Sequence, residues 1–352
     1  MALIGCGAVS QTYYAPALRE LQRENVVRLV ALYDVRREAV EAMRAHFPDA
    51  SVVPEIEECA QLGVELAVVA SPNRHHADHA TRLLSLGMAV LCEKPLATSV
   101  AQAEAMVAAA ARAGRPLVVG HFRRFFPAMQ AVHSMIEQGT LGRALAFDFS
   151  EGGRFAWPAA SAALFSRADA GGGVLIDLGT HLIDLLVWWF GEPTVLDYED
   201  DALGGIEANC RLTLQFAGEI RGCIRLSRDH PLPNRCVVRC ERGSMQWNVW
   251  DKTRADELQL VLAGGKVTVD GVLRETRNME RSFIAQIRNA AQAARGLEQP
   301  TVPGEAAIAT LRVVERAYRV ARPMPMAWLS ERERAEVARL RPPLLGAGTW
   351  TA

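Results

Sequence analysis

The chain has 352 residues, half of them apolar, with 39 basic against 40 acidic side chains. So even a balance leaves no basic footprint for nucleic acid or for an anionic membrane surface. At roughly 150 residues per domain the length predicts two packed domains, and the longest apolar stretch, Leu182 to Phe190, is broken by Asp184 and falls short of the ~18 residues of a membrane span. Of the 39 cations, 36 are arginine and the three lysines are Lys94, Lys252 and Lys266. A lysine in such a background calls for a reason. Lys94 follows an apolar strand, whereas Lys252 and Lys266 lie in polar stretches that read as turns. The seven cysteines are odd in number and scattered, which predicts free thiols in a reducing, cytoplasmic setting. The N-terminus has no basic start and runs straight into a glycine turn, so it does not read as an export signal.

Ala2 to Ile4 reads as a strand, Gly5-Cys-Gly7-Ala8-Val9-Ser10 as a glycine turn, and the stretch holding Ala15, Leu18 and Leu21 as a helix. Strand, glycine turn and helix in this order place free helix N–H groups where a pyrophosphate binds. Ser10 replaces the third glycine of the strict fingerprint and is small enough for close packing. Only three residues precede Gly5, shorter than the usual strand of about 5–6 residues, which leaves room for residues upstream. A second strand, Arg28 to Tyr33, ends at Asp34, where a carboxylate accepts hydrogen bonds from an adenosine ribose and repels a 2′-phosphate. That favours NAD, with NADP kept open by Arg36 and Arg37.

A helix over Arg36 to His46, a break at Pro48-Asp49 and a segment near Glu57 to Leu62 precede the apolar strand Glu65 to Ala70. The strand ends in Ser71-Pro72-Asn73. His75, His76 and His79 have helical spacing, but no carboxylate stands at ligand spacing and no metal is expected. A helix closing at Gly87 leads to the strand Met88 to Cys92 and then to Glu93-Lys94-Pro95. The helix Val100 to Ala113, Gly114 and the strand Pro116 to Val119 complete a series of alternating strands and helices. The pattern predicts an α/β, mostly parallel, doubly wound sheet.

Beyond Arg143 the pattern changes to a strand over Ala144 to Phe149, an irregular stretch with Trp157-Pro158, and then Gly171-Gly-Gly173. A buried helix follows over Leu178 to Phe190. Asp177 and His181, four residues apart at its start, share one face. They suit proton handling, the imidazole taking a hydroxyl proton and the carboxylate orienting it or the substrate; an aspartate facing the helix dipole beside a core histidine fits the same spacing. Strands at 194–198, 209–216, 220–226, 235–240, 244–249, 258–262 and 266–269 predict a large, mainly antiparallel sheet. Helices over Glu280 to Arg295 and Glu305 to Arg322 follow, and the tail from Pro323 carries proline and charge.

Glu93-Lys94-Pro95, Ser71-Pro72-Asn73 with His76, Arg124-Phe125 before Pro127, and Gly171-Gly-Gly173 with Asp177 and His181 together resemble the family of glucose-fructose oxidoreductase, inositol dehydrogenase and MocA-like proteins. The resemblance spans about residues 1 to 322. It implies an NAD(P)-binding Rossmann domain over 1–122, an open-faced α+β domain for substrate and oligomerisation over 123–322, and a tail over 323–352. By motif position it implies Lys94, Asp177 and His181 as the catalytic group. Gly5, Gly7, Ala8, Val9, Ser10, Asp34, Arg36, Ser71, Pro72, Asn73, His76, Glu93, Lys94 and Pro95 would then line the cofactor. Arg124 and Trp157 join Asp177 and His181 as expected substrate contacts. The expected activity is hydride transfer between a secondary alcohol of a sugar, cyclitol or nucleotide sugar and nicotinamide, by a homodimer or homotetramer. Two alternatives share the scaffold: glycoside cleavage through transient oxidation by a retained NAD, and a non-catalytic dinucleotide-binding regulator.

Overall fold

The structure, a computed structural model, describes residues 1–159, 162–249, 258–269, 279–325 and 329–340. The chain forms two compact units, one of Met1–Ala131, Trp157–Leu164 and Gly271–Ala309, the other of Val132–Ala156, Phe165–Asp270 and Thr310–Ala352.

The first unit holds a six-stranded sheet of β1 (Ala2–Ile4), β2 (Ala31–Tyr33), β3 (Ser51–Val52), β4 (Leu66–Val69), β5 (Ala89–Cys92) and β6 (Leu117–Val119). The strand order is β3-β2-β1-β4-β5-β6 and every pair is parallel. This is the dinucleotide-binding order, in which the crevice opens at the carboxyl ends of the strands where the winding reverses, between β1 and β4. β4 and β5 are buried along their whole length, as parallel strands covered on both faces must be. Helices α1 (Ala15–Arg23), α2 (Arg37–Arg44), α3 (His76–Ser85) and α4 (Val100–Ala113) make the crossovers. Ser99 caps α4 by accepting the amide of Gln102 at 3.2 Å.

Three differences from the sequence reading have local causes. β3 is two residues long and exposed, so it carries no apolar pattern. The second strand is trimmed to Ala31–Tyr33, and the helix Pro127–Glu137 was not foreseen. The helix Met279–Ala294 returns to this unit, burying Phe283, Ile287, Ala290 and Ala291 in the same core as Leu3, Tyr14, Leu18, Leu91 and Phe122.

In the second unit nine strands run β14-β13-β12-β11-β7-β10-β9-β8-β15: β7 (Ala144–Gly152), β8 (Thr194–Asp200), β9 (Asn209–Gln215), β10 (Arg221–Ser227), β11 (Arg235–Cys240), β12 (Gly243–Asn248), β13 (Gln259–Leu262), β14 (Gly265–Thr268) and β15 (Arg322–Pro323). The pairing is antiparallel except for β7 with β10 and β8 with β15. Lys266 lies on β14 rather than in a turn, and Lys252 lies outside the described residues. The expected last helix stops at Arg319, freeing Arg322–Pro323 to pair as β15, and the tail contains the helix Glu331–Leu340.

The helix Thr180–Phe190 lies against this sheet, where Trp189 meets Phe149 and Trp247 edge-on at ring-centroid distances of 6.4 and 5.7 Å. The helical stretch Arg167–Phe190 is long and apolar enough to cross a membrane, yet 83% of its most apolar window is buried inside the protein. It is a core helix.

Candidate cofactor and proton-transfer sites

In the first unit, the expected cofactor residues gather at the carboxyl ends of β1, β2, β4 and β5. Gly5 has φ +97°, and a Cβ there would lie 2.5 Å from the carbonyl group of Ala70. The turn can therefore press against the end of β4 only with glycine. Gly7 differs: a Cβ would meet nothing closer than the Arg36 guanidinium at 3.6 Å. The packing of the protein leaves that position open, which is what backbone approach by a pyrophosphate requires. Ser10 is buried and its hydroxyl donates to the Gly5 carbonyl at 2.6 Å, so the residue in place of the third glycine tightens the turn. Asp34 accepts the Cys6 amide at 2.8 Å on Oδ2 and the Arg36 amide at 2.8 Å on Oδ1, tying the glycine turn to the end of β2. The Arg36 Nε atom stands 3.6 Å from the same carboxylate. Burial, with Asp34 as a second cause, pushes the Cys6 thiol up to about 12, so it remains protonated.

His76 changes role. It is 1% exposed, and its ring nitrogens stand 2.8 Å from the carbonyl oxygens of Pro95 and Ser71. Instead of offering a ring nitrogen to a cofactor, it braces the loops after β4 and β5 against each other. His79 faces the Ser71 hydroxyl at 3.0 Å, and burial lowers its pKa to about 4. Among the described residues no His, Cys, Asp and Glu cluster could hold a metal.

Glu93 is buried, and desolvation raises its pKa. Its Oε1 accepts the hydroxyl of fully buried Tyr14 at 2.8 Å, and its Oε2 accepts the amide of Lys94 at 3.1 Å. Gln286, on the returning helix, donates to the Tyr14 oxygen at 3.3 Å. The loop carrying Lys94 is thus anchored from beneath, and Lys94 itself is half-buried beside a cis bond to Pro95. Tyr14 and Gln286 carried no motif, so sequence reading missed them.

Two expected substrate contacts also belong to this unit. Arg124 is buried in the turn Phe122–Phe125 after β6. Trp157 stacks on Tyr13 at 5.7 Å, and Tyr13 on Phe283 at 5.0 Å, so one face of the indole is already covered.

In the second unit, Asp177 lies in a π-helical turn, Leu175–Gly179, leading directly into the helix that begins at Thr180 and carries His181. Such widened turns concentrate at functional positions. Glu207 fastens this entry: its carboxylate accepts the Gly173 amide at 3.0 Å, the Leu175 amide at 3.0 Å and the Tyr318 hydroxyl at 2.7 Å. A carboxylate at a helix N-terminus also meets the favourable end of the macrodipole. The glycines serve this packing, since a Cβ on Gly172 would lie 2.1 Å from the Tyr318 oxygen and one on Gly173 2.1 Å from the Glu207 carbonyl. Asp177 pairs with Arg228, Oδ2 to Nη2, at 2.5 Å. His181 is 5% exposed.

Residues 1–121 match the oxidoreductase family with an NAD-binding Rossmann fold, and residues 129–246 match the GFO/IDH/MocA C-terminal domain. The chain belongs to this family. Mouse trans-1,2-dihydrobenzene-1,2-diol dehydrogenase is 30% identical over 258 residues, which cover 69% of this chain and 73% of the relative. The Bacillus subtilis scyllo-inositol 2-dehydrogenase (NADP(+)) IolW is 27% identical over 194 residues, 55% of this chain and 52% of the relative. Among solved structures, the WlbA dehydrogenase of Bordetella pertussis, in complex with NADH and UDP-GlcNAcA, has the same fold, with a TM-score of 0.78 over 92% of this chain and 97% of that one at 23% identity.

Proposed function

We propose that this family member is an NAD-dependent dehydrogenase oxidising a secondary alcohol of a sugar, cyclitol or nucleotide sugar. The observation that carries this reading is the pair Asp177 and His181, held on a buried helix whose entry is pinned by Glu207. A bound nicotinamide supplies the hydride acceptor. Gly5, Gly7, Ala8, Val9 and Ser10 form the turn that would hold its pyrophosphate, and the loops Ser71-Pro72-Asn73 and Glu93-Lys94-Pro95 flank it. His181 takes the proton of the reacting hydroxyl. The Lys94 ammonium donates a hydrogen bond to that oxygen as negative charge develops, and Asp177 orients the imidazole or a neighbouring hydroxyl. NAD is favoured over NADP because the Asp34 carboxylate is fixed by two backbone amides and holds the Arg36 guanidinium nearby. A 2′-phosphate would meet that carboxylate.

The test is a panel of myo-inositol, trans-cyclohexane-1,2-diol, D-glucose and UDP-N-acetylglucosamine with NAD and NADP, following reduced-cofactor absorbance. Turnover with NAD is expected, and its loss by at least about 100-fold in Lys94→Ala with NAD affinity retained. Full activity of that variant refutes the assignment. We further propose a cytoplasmic homodimer or homotetramer. Seven free cysteines support a reducing compartment, and the sheet face that carries Asp148, Arg211 and Arg225, the last paired with Asp148 at 2.7 Å, presents polar side chains to solvent for a second copy. A monomeric mass by light scattering would refute the assembly.

A further inference from the structure

Arg228 follows β10 and is 7% exposed at its side chain, as against 24% for Asp177. Its backbone is pinned on both sides: its amide donates to the Ala208 carbonyl at 2.9 Å, and its carbonyl accepts the Phe155 amide at 2.6 Å. The Phe155 ring covers the guanidinium with its centroid 5.6 Å from Cζ. The contact to Asp177 is the single hydrogen bond the side chain makes among the described residues. Nε and Nη1 are buried and have no partner there. An arginine kept for folding would spend its donors on nearby carbonyls, because a buried cation with unspent N–H groups is costly. This one is committed to a single oxygen of a single residue, and that residue is one helical turn before His181.

We propose that Arg228 is the positioning residue of the acid–base group, gripping Oδ2 of Asp177 and so fixing the direction of its other oxygen while balancing its charge. The proposal rests on the role given above to Asp177. A carboxylate oxygen held at 2.5 Å by a backbone-anchored guanidinium has little rotational freedom. Lysine cannot reproduce this fully, since a point-charge ammonium lacks the planar shape that Phe155 covers.

The experiment compares Arg228→Ala, Arg228→Lys, Arg228→Gln and Asp177→Asn on the panel compound that the wild-type chain oxidises fastest. Arg228→Ala is expected to lose about 100-fold in kcat with the KM for NAD unchanged, and guanidinium chloride at millimolar concentration to restore about tenfold while urea, of similar shape and no charge, restores nothing. Arg228→Lys should retain more kcat than Arg228→Gln, and Arg228→Ala combined with Asp177→Asn should be no worse than Asp177→Asn alone. Wild-type kcat in Arg228→Gln, or a folded Arg228→Ala that guanidinium does not rescue, overturns the proposal. If Arg228→Ala does not fold, the Lys and Gln variants decide, and equal loss in both overturns it. Full activity in Asp177→Asn, or no turnover of any panel compound by the wild type, instead overturns the reading on which the proposal rests.

Discussion

At the level of single residues, the two glycines of the first turn separate folding from binding. Gly5 has a left-handed φ and faces the backbone of Ala70 at 2.5 Å, whereas a methyl group on Gly7 would only touch the tip of Arg36 at 3.6 Å. Gly5→Ala should therefore cost about 3 kcal/mol or more of stability, read as a fall in the denaturation midpoint. Gly7→Ala should unfold like the wild type while NAD affinity, measured by calorimetry, drops at least about tenfold. Equal effects of the two substitutions on stability would refute the distinction. His79 gives a pH signature. Burial lowers its folded pKa to about 4 from an ordinary 6.5, so the unfolded chain takes up the proton first. Stability linked to His79 is complete above about 6.5 and is lost as pH falls toward about 4. His79→Gln should flatten that part of the stability–pH curve in chemical denaturation, and an unchanged slope would contradict the assignment. Residues in tight local patterns, such as Gly5, Asp34 and Lys94, were legible in the sequence. Arg228, Glu207, Tyr14 and Gln286 were not, because each acts on a partner 32 or more residues away.

At the level of elements, most strands and helices with a strong apolar period were legible to within a few residues. Exposed β3 and the two-residue β15, which exists only by pairing with Glu199 and Asp200 of β8, were missed for want of a pattern, and the helix Pro127–Glu137, which buries Ala128, Met129 and Val132, was missed despite one. The glycine run before Asp177 is a loop, as a run of glycines suggests, and Gly172 and Gly173 in it are also sterically required where the helix entry meets Tyr318 and Glu207. Desolvation raises the Glu207 pKa, while hydrogen bonds from Tyr318 and the backbone oppose that. Glu207→Ala strands two buried amides and a part-buried hydroxyl, so it should destabilise the second unit by about 3 kcal/mol and lower kcat through the displaced entry. Tyr318→Phe removes one of those three bonds and should cost about 1 kcal/mol. A Glu207→Ala variant no less stable than Tyr318→Phe in urea denaturation would contradict the cap.

At the level of the whole molecule, the nucleotide-binding unit is not continuous in sequence. A division at residue 122 follows the change from alternating strands and helices to a run of strands, yet the compact unit recovers Gly271–Ala309 from far downstream. The reason lies in the core: Phe283 is 1% exposed and Ile287 fully buried against residues of β1, β5 and α1, and Gln286 completes the Tyr14–Glu93 chain beneath Lys94. The sequence places a helix over Glu280 to Arg295 but carries no signal of which sheet it covers. Residues 1–131 alone should consequently expose the aromatic surface that Phe283 covers and fail to fold cooperatively. In the full chain, Phe283→Ala should remove about 3–5 kcal/mol of stability from this unit. It should also weaken NAD binding, because the Tyr13, Tyr14 and Phe122 rings packed around Phe283 flank the glycine turn and the strand ends. Hydrogen exchange is the appropriate measurement: accelerated exchange in β1, β4 and β5, with β9 to β11 unchanged, is the expected result, and uniform acceleration in both sheets would show that the two units do not unfold separately.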